Sequence, residues 1–113
     1  MKEIKAYIRC SKVELVITAL RTIGIENLTV VDVMALGKGM IDPDKYKYSI
    51  ECVEKYSDVA KMEIVCTDEV VASAMETIRK HAYTGERGDG LILVSDVEQT
   101  LKIRSGARGV EAL

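Results

Sequence analysis

Apolar and polar residues alternate along the first segment of the chain, residues 2–10, as they do in a half-buried β-strand. The alternation returns at residues 59–66, where Ala60, Met62 and Ile64 fall on one face. Residues 28–35 are rich in valine and threonine, which favours a strand there as well. We predict further strands over residues 91–97 and, shorter, over residues 100–104.

Two segments have helical spacing instead. Ser11 stands three residues before Glu14, the spacing of a capping box, and Gly24 supplies a stop after the first helix. The apolar positions of that helix are Val13, Val16, Ile17, Leu20 and Ile23. A second helix is predicted from Thr67 to about His81, with Val71, Ala74, Met75 and Ile78 as its apolar positions.

The predicted order is β-α-β-β-α-β with a small strand appended. This order is typical of an α+β, ferredoxin-like fold, with one antiparallel sheet and both helices on one face. A chain of 113 residues is the usual size of one domain, so we expect a single domain over residues 1–113. The other sheet face is predicted to be mixed, with the side chains of Tyr7, Arg9, Lys61, Glu63 and Val65.

Composition narrows the classes of function. Sixteen Lys and Arg against eighteen Asp and Glu give a net charge of −2, which argues against a generic cationic nucleic-acid binder. No apolar run approaches the roughly 18 residues that a membrane span needs. The start, Met1-Lys2-Glu3-Ile4, lacks the apolar region of a signal peptide, so the cytoplasm is the expected compartment.

The cysteines do not predict a metal site. Cys10, Cys52 and Cys66 have no CxxC spacing, and His81 is the only histidine. A tetrahedral zinc site needs four ligands, usually in close pairs. Buried, inert thiols are therefore the expectation, and no metal ligand is assigned.

A long segment of about 22 residues, 36–57, separates the second and third predicted strands and exceeds an ordinary connection. It contains several lysines together with Tyr46, Tyr48 and Tyr56. Long polar loops of this kind usually carry function, although a tolerated insertion is the alternative. We expect it to bind a partner.

Residues 84–90, Thr-Gly-Glu-Arg-Gly-Asp-Gly, hold three glycines between a helix and a strand. Such a segment can turn its amides toward an anion, although a plain turn has the same composition.

Lys102 and Arg104 stand two apart on the predicted fifth strand and would share a face. They suit neighbouring phosphates; a solvated basic edge strand is the alternative.

Taken together, these segments resemble the PII signal-transduction family over essentially the whole chain. The resemblance is carried by residues 23–25, 28–30, 37–38, 62–65, 84–90 and 103–109, of which 84–90 is the most specific. It implies a homotrimer that binds ADP, AMP or ATP, with or without magnesium, in clefts between subunits, and no tightly bound cofactor. It also implies a long loop that docks on a target protein, such as a membrane transporter or a metabolic enzyme.

The resemblance assigns nucleotide contacts residue by residue. They are Thr29, Gly37, Lys38, Val65, Glu86, Arg87, Gly88, Asp89, Gly90, Lys102 and Arg104. Lys38 and Lys102 stand where the family has arginine, and Leu91 where it has a cation, so one phosphate partner is missing. Gly39 replaces a glutamine that helps to hold 2-oxoglutarate and magnesium, so we expect weak or no 2-oxoglutarate binding.

The long segment departs further from the family pattern. The tyrosine that many members modify is Glu51 here, and Tyr46, Tyr48 and Ser49 are the candidate partner contacts. We therefore expect a divergent member, with a target outside ammonium assimilation.

Two other classes of function stay open on the sequence. A small ferredoxin-like enzyme acting on nucleotides, such as a nucleoside diphosphate kinase, would need a reactive histidine, and His81 is the one candidate. A nucleotide-independent trimeric scaffold, of the metal-tolerance type, shares the same fold. The leading expectation is a regulator with no catalytic residue and at most slow, incidental nucleotide hydrolysis.

Overall fold

The computed structural model describes residues 1–33 and 58–113 of the chain. Its helices and strands are β1 (Lys2–Arg9), α1 (Val13–Thr22), β2 (Thr29–Val33), β3 (Val59–Cys66), α2 (Val71–Ala82) and β4 (Leu91–Asp96). This order confirms the predicted α+β, ferredoxin-like βαββαβ arrangement. The predicted long segment, 36–57, lies outside the described residues.

The strands form one antiparallel sheet in the order β2-β3-β1-β4. Ile4 lies opposite Ile64 on β3 and Val94 on β4, so these side chains share a face. This register places β1 and β3 in the centre and leaves β2 and β4 as the edges.

The core lies between one sheet face and the two helices. Ile4, Ala6 and Ile8 alternate inward from β1, as Ala60, Met62 and Ile64 do from β3. Val16 and Leu20 of α1 and Ala74 and Ile78 of α2 pack against them, fully buried. The predicted periodicities are confirmed here, because strand period 2 and helix period 3.6 both direct their apolar sets to this layer.

The opposite sheet face, which we call the open face, carries no α-helix among the described residues; the C-terminal 3-10 turn Gly109–Ala112 lies beside its β2 end. One row of side chains crosses the open face from β2 to β4, formed by Val31, Lys61, Tyr7 and Leu91. Lys61 Nζ lies 2.8 Å from Glu63 Oε1, and this pair raises the pKa of Lys61 and lowers that of Glu63. The face is mixed, as predicted, with charges paired and valine and leucine between them.

The two helix starts differ from prediction. The Ser11–Glu14 capping box is wrong, because a 3-10 turn at Cys10–Lys12 carries the chain into α1 and no side chain caps either start. Thr67 likewise precedes a 3-10 turn at Asp68–Val70, and α2 begins at Val71. Both connections leave a strand through a tight turn, which moves the first α-helical residue along the chain.

The end of α1 follows the prediction. Gly24 has φ of +88°, and its amide donates to the Arg21 carbonyl at 3.1 Å. The Ile25 amide donates to the Leu20 carbonyl at 3.0 Å, which completes a Schellman motif. Ile25 is buried as a result.

The predicted fifth strand, 100–104, is wrong as a strand. Leu101 bridges to Arg108, and the Lys102 amide donates to the Ala107 carbonyl at 2.8 Å, so these residues form a short hairpin. The amide of Gly106, at φ +73°, donates to the Lys102 carbonyl and closes the turn. A local hairpin thus takes the hydrogen bonds that a fifth strand would have used.

Two cysteines are described. Cys66 is buried and Cys10 half-buried, which agrees with inert thiols, and burial raises the pKa of both. Cys52 lies outside the described residues. No helix within residues 1–33 and 58–113 is long and apolar enough to cross a membrane.

Candidate functional site

A depression beside the start of β2 brings together three of the predicted nucleotide contacts, Thr29, Val65 and Lys102. Its volume is about 550 Å³, which lies in the usual range for a small-molecule site. The other lining residues are Glu3, Glu26, Asn27, Leu28, Glu63, Ala112 and Leu113. We call this site the β2 depression.

Sheet register and the C-terminal segment build this depression. Thr29 lies opposite Glu63 on β3, and Val65 follows on the same face. After β4 the chain passes the N-terminus of β1, where the Val97 amide donates to the Met1 carbonyl at 3.2 Å. This crossing carries Lys102 and Leu113 from the β4 edge to the β2 side of the sheet.

Lys102 and Arg104 do not share a strand face, because the fifth strand on which that prediction rested is a hairpin. Lys102 lines the β2 depression, whereas Arg104 lies exposed in the turn of the hairpin. Their joint contact to phosphates stays a prediction.

Residues 84–90, which we call the glycine loop, are organised around Asp89. Its Oδ2 accepts the amides of Thr84 and Gly85, both at 2.9 Å. Its Oδ1 accepts the Thr84 hydroxyl and, at 3.2 Å, Arg9 Nε–H. Asp89 therefore closes the loop, and its direct contact to a nucleotide stays a prediction.

The same contacts set the electrostatics of the loop. The Thr84 hydroxyl, the Thr84 and Gly85 amides and the Arg9 guanidinium hold the pKa of Asp89 well below its ordinary value. Asp89 is therefore ionised at neutral pH. Its negative charge lies against the Arg9 cation, which leaves the loop nearly neutral at this point.

Two glycines of the loop have positive φ angles, and at Gly90 the packing of β1 also leaves no room for a side chain. A Cβ on Gly90, at φ +101°, would lie 1.7 Å from the Tyr7 carbonyl oxygen. A Cβ on Gly88, at φ +103°, would lie 3.3 Å from Arg9 Nη2. The sequence predicts glycines that let the amides turn toward an anion, and the structure adds the close approach of β1 at Gly90.

The amides of the loop divide into two sets. Those of Thr84, Gly85 and Glu86 donate within the loop, the last to the Thr84 hydroxyl at 3.1 Å. The amides of Arg87 and Gly88 have no acceptor among the described residues. Successive unpaired amides at a glycine-rich turn are an arrangement that binds anions.

The β2 depression and the glycine loop lie at opposite edges of the sheet. The loop leads into β4, whereas Thr29 begins β2, with β3 and β1 in between. Three strand spacings separate these edges, about 14 Å. The structure therefore places the predicted contacts in two groups within one chain. Gly37 and Lys38, with the partner contacts Tyr46, Tyr48 and Ser49, lie outside the described residues.

His81 lies apart from both groups. It belongs to the last turn of α2, and its Nδ1–H donates to the Thr77 carbonyl at 2.8 Å. The ring lines a groove between α1 and α2, in the helix layer, with Thr18 and Lys80. A histidine so placed does not face the β2 depression, which opens on the other side of the sheet.

Comparison with known proteins decides the family. The sequence model of the family described as nitrogen regulatory protein P-II matches residues 1–107. The chain belongs to the PII family. The resemblance found in the motifs is thereby confirmed over nearly the whole chain, and PII proteins are signal-transduction regulators rather than enzymes.

Full-length relatives support the same assignment. The chain is 42% identical over 116 positions to nitrogen regulatory protein P-II of Porphyra purpurea, with all of both chains covered. It is 40% identical to nitrogen regulatory protein P-II 2 of Methanothermobacter thermautotrophicus, covering all of this chain and 97% of that one. Nitrogen regulatory protein P-II of Bradyrhizobium diazoefficiens is 34% identical over 113 residues, again with complete coverage of both chains.

Sequence reasoning missed several residues of this PII chain's two groups. The sequence predicts Arg9 only on the mixed sheet face and gives Glu3 and Glu63 no part in the site. Arg9 and Asp89 are 80 positions apart, and no local pattern connects them. The alternation of β3 predicts Glu63 on the mixed sheet face, which is the available signal, and the structure adds Glu3, opposite Val65.

Proposed function

We propose that this PII protein binds adenine nucleotides, ADP, AMP or ATP, between the subunits of a homotrimer, and through this binding controls a partner protein. The observation that carries the proposal is the division of the candidate contacts between the two edges of the sheet. The β2 depression provides a cavity of small-molecule size and the Lys102 cation, while the glycine loop provides the Arg87 and Gly88 amides, which have no acceptor within residues 1–33 and 58–113.

A head-to-tail assembly would join the two groups. In a cyclic oligomer each copy presents one surface to the next copy and a different surface to the previous one. The β2 edge of one subunit can then face the β4 edge of its neighbour. The base of a nucleotide would occupy the depression and its phosphates would reach the loop of the adjacent copy.

Exposed apolar side chains beside both groups support such an assembly. Ile103, between Lys102 and Arg104, is 100% exposed, and Leu91, directly after the glycine loop, is 62% exposed. Leu93 and Val31 add to the open face. Burial of these side chains against another copy is favourable by about 25 cal/mol for each Å² of apolar surface.

The phosphate end of the proposed site combines two kinds of donor. The Arg87 and Gly88 amides supply neutral donors, and Lys102 and Arg104 supply positive charge. An arginine binds two phosphate oxygens at once, whereas a lysine acts as a point charge. We therefore expect Arg104→Ala to weaken nucleotide binding more than Lys102→Ala, by tenfold or more, about 1.4 kcal/mol.

Isothermal titration calorimetry with ADP, ATP and AMP, with and without magnesium, tests the function directly. The expected result is saturable binding of at least one nucleotide, with at most slow, incidental release of phosphate. A folded protein that binds none of the three would refute the proposal and favour the scaffold. Rapid turnover would favour an enzyme.

The signal is proposed to be nucleotide occupancy rather than 2-oxoglutarate. Gly39 has no side chain to hold that dianion, and Leu91 provides no charge to steady a triphosphate. Titration of 2-oxoglutarate into protein saturated with magnesium and ATP is expected to give weak or no binding. Micromolar affinity in that titration would contradict the proposal and indicate ordinary 2-oxoglutarate sensing.

Partner control is assigned to residues 36–57, with Tyr46, Tyr48 and Ser49 as contacts and a transporter or metabolic enzyme as the class of target. The cytoplasm is the proposed compartment, at the membrane surface when the partner is a transporter. A variant lacking residues 40–56 is expected to bind nucleotide like the parent and to lose the partner. Loss of nucleotide binding in this variant would contradict the separation of the two functions.

A further inference from the structure

Arg9, the last residue of β1, connects the sheet to the glycine loop by two hydrogen bonds. Its Nε–H donates to Asp89 Oδ1 at 3.2 Å, and Nη2–H donates to the Arg87 carbonyl at 2.8 Å. The side chain is 26% exposed, so it lies against the loop rather than in open solvent. None of the sequence motifs assigns it to the nucleotide site.

The bond to the Arg87 carbonyl fixes the direction of a neighbouring amide. That carbonyl and the Gly88 amide belong to one peptide plane, and the chain has no cis peptide among its described bonds. In a trans peptide the C=O and N–H point in opposite directions. Because Arg9 draws the carbonyl toward itself, the Gly88 N–H is directed away from Arg9.

The bond to Asp89 has a second consequence. The Asp89 carboxylate accepts hydrogen bonds from the Thr84 and Gly85 amides and thereby holds the ends of the loop together. An unneutralised carboxylate beside an anion site would repel phosphate. The Arg9 guanidinium offsets this charge, and it packs against Gly88, where a Cβ would come within 3.3 Å of Nη2.

We propose that Arg9 is a positioning residue of the nucleotide site, which turns the 87–88 peptide so that the Gly88 N–H faces the phosphates. The proposal rests on the nucleotide-binding function proposed above. Arg9 acts through the loop and through Asp89, and not by its own contact with the ligand. The loss of Arg9 should therefore affect the phosphate end of the site and not the base end.

Titration of ADP and adenosine into the parent protein and an Arg9→Gln variant tests the proposal. Arg9→Gln is expected to weaken ADP binding about ten- to a hundredfold, the value of one or two charge-assisted hydrogen bonds, and to leave adenosine binding unchanged. Arg9→Lys, which keeps the charge but not both bonds, should fall between. Arg21→Gln, an exposed arginine on α1, is the matched control and should bind like the parent.

A double-mutant cycle tests whether Arg9 acts through Asp89. If Arg9 acts through Asp89, the pair Arg9→Gln and Asp89→Asn should lose no more ADP affinity than the worse single variant. Losses that multiply would show that Arg9 and Asp89 act independently and would overturn the proposal as stated. Equal loss of ADP and adenosine binding, or ADP binding by Arg9→Gln at the parent's affinity, would overturn it too. A parent that binds no ADP would refute the proposed function itself, and the role of Arg9 with it.

Discussion

Replacing Gly90 by alanine adds one methyl group at the point where the glycine loop enters β4. The new Cβ would lie 1.7 Å from the Tyr7 carbonyl oxygen and 2.7 Å from the Tyr7 carbonyl carbon. Both are backbone atoms of β1, a central strand, so no side-chain rotation relieves the contact. The backbone at Gly90 also has φ of +101°, which an L-residue rarely adopts.

The backbone strain and the steric contact together set the expected loss of unfolding free energy. An unfavourable φ costs about 1–3 kcal/mol, and forced overpacking adds about 1–3 kcal/mol. A total of about 4 kcal/mol corresponds to a fall in Tm of about 15 °C for a chain of this size. Gly106→Ala is the matched control, because Gly106 has φ of +73° and no atom of the described residues lies within 4 Å of the position that its Cβ would take. It should cost only the backbone effect, about 1–2 kcal/mol.

Thermal unfolding followed by circular dichroism, with urea unfolding alongside, measures both variants. One protein concentration is used throughout, because assembly makes Tm depend on concentration. Gly90→Ala is expected to lose clearly more stability than Gly106→Ala. If the two variants have the same Tm and the same free energy of unfolding, the close approach of the loop to β1 is not what requires glycine, and the packing argument is refuted.

Three further predictions concern the core, the loop and the assembly. Met62→Ala leaves a cavity at a fully buried position and should lower the free energy of unfolding, measured in urea, by about 2–5 kcal/mol. Leu15→Ala, at a half-exposed position on α1, should change this free energy little, and equal losses in the two variants would contradict the assignment of the core. Because the folded state lowers the pKa of Asp89, its ionised form stabilises the fold above the ordinary value of 3.8, and this contribution declines as the pH falls below it. Asp89→Asn should therefore flatten the acid side of the stability profile, and an unchanged profile would refute the role of that carboxylate. Ile103→Asp should weaken the trimer in sedimentation equilibrium and leave the subunit folded, since the Ile103 side chain is fully exposed in the subunit; an unchanged trimer would place the interface elsewhere.

The fold was predictable because its signals are local. The alternation in β1 and β3 and the apolar spacing of α1 and α2 each depend on residues within a few positions of one another. The Gly24 stop is likewise a matter of six residues, closed by the Ile25 to Leu20 bond. These features require no knowledge of the rest of the chain.

The errors arose where two local structures competed. Ser11 and Glu14 have capping spacing, yet a 3-10 turn uses the residues that would have been the cap. Residues 100–104 have a strand pattern, yet the turn closed at Gly106 folds them back on Ala107 and Arg108. The spacing of residue types along the chain does not show which of two such local structures is the more stable.

The site was predictable only in part. Thr29, Val65 and Lys102 do meet in one depression, which a motif comparison anticipated. The organisation of the glycine loop around Asp89 and Arg9 was not anticipated, because it depends on a contact between residues 80 positions apart. The separation of the two groups across the sheet follows from the strand order, in which β2 and β4 are the edges.

The central claim, that the nucleotide site is completed by a neighbouring copy, is tested most directly by counting ADP sites in mixed trimers. Lys102→Glu damages the β2 depression and Gly88→Val damages the glycine loop, so neither variant alone should bind ADP. In randomly mixed trimers, about one quarter of the interfaces should unite two undamaged groups and regain binding, since each interface takes one group from each of two copies. If mixing is verified by mass spectrometry and calorimetry finds no sites, the groups act within one subunit and the account is contradicted.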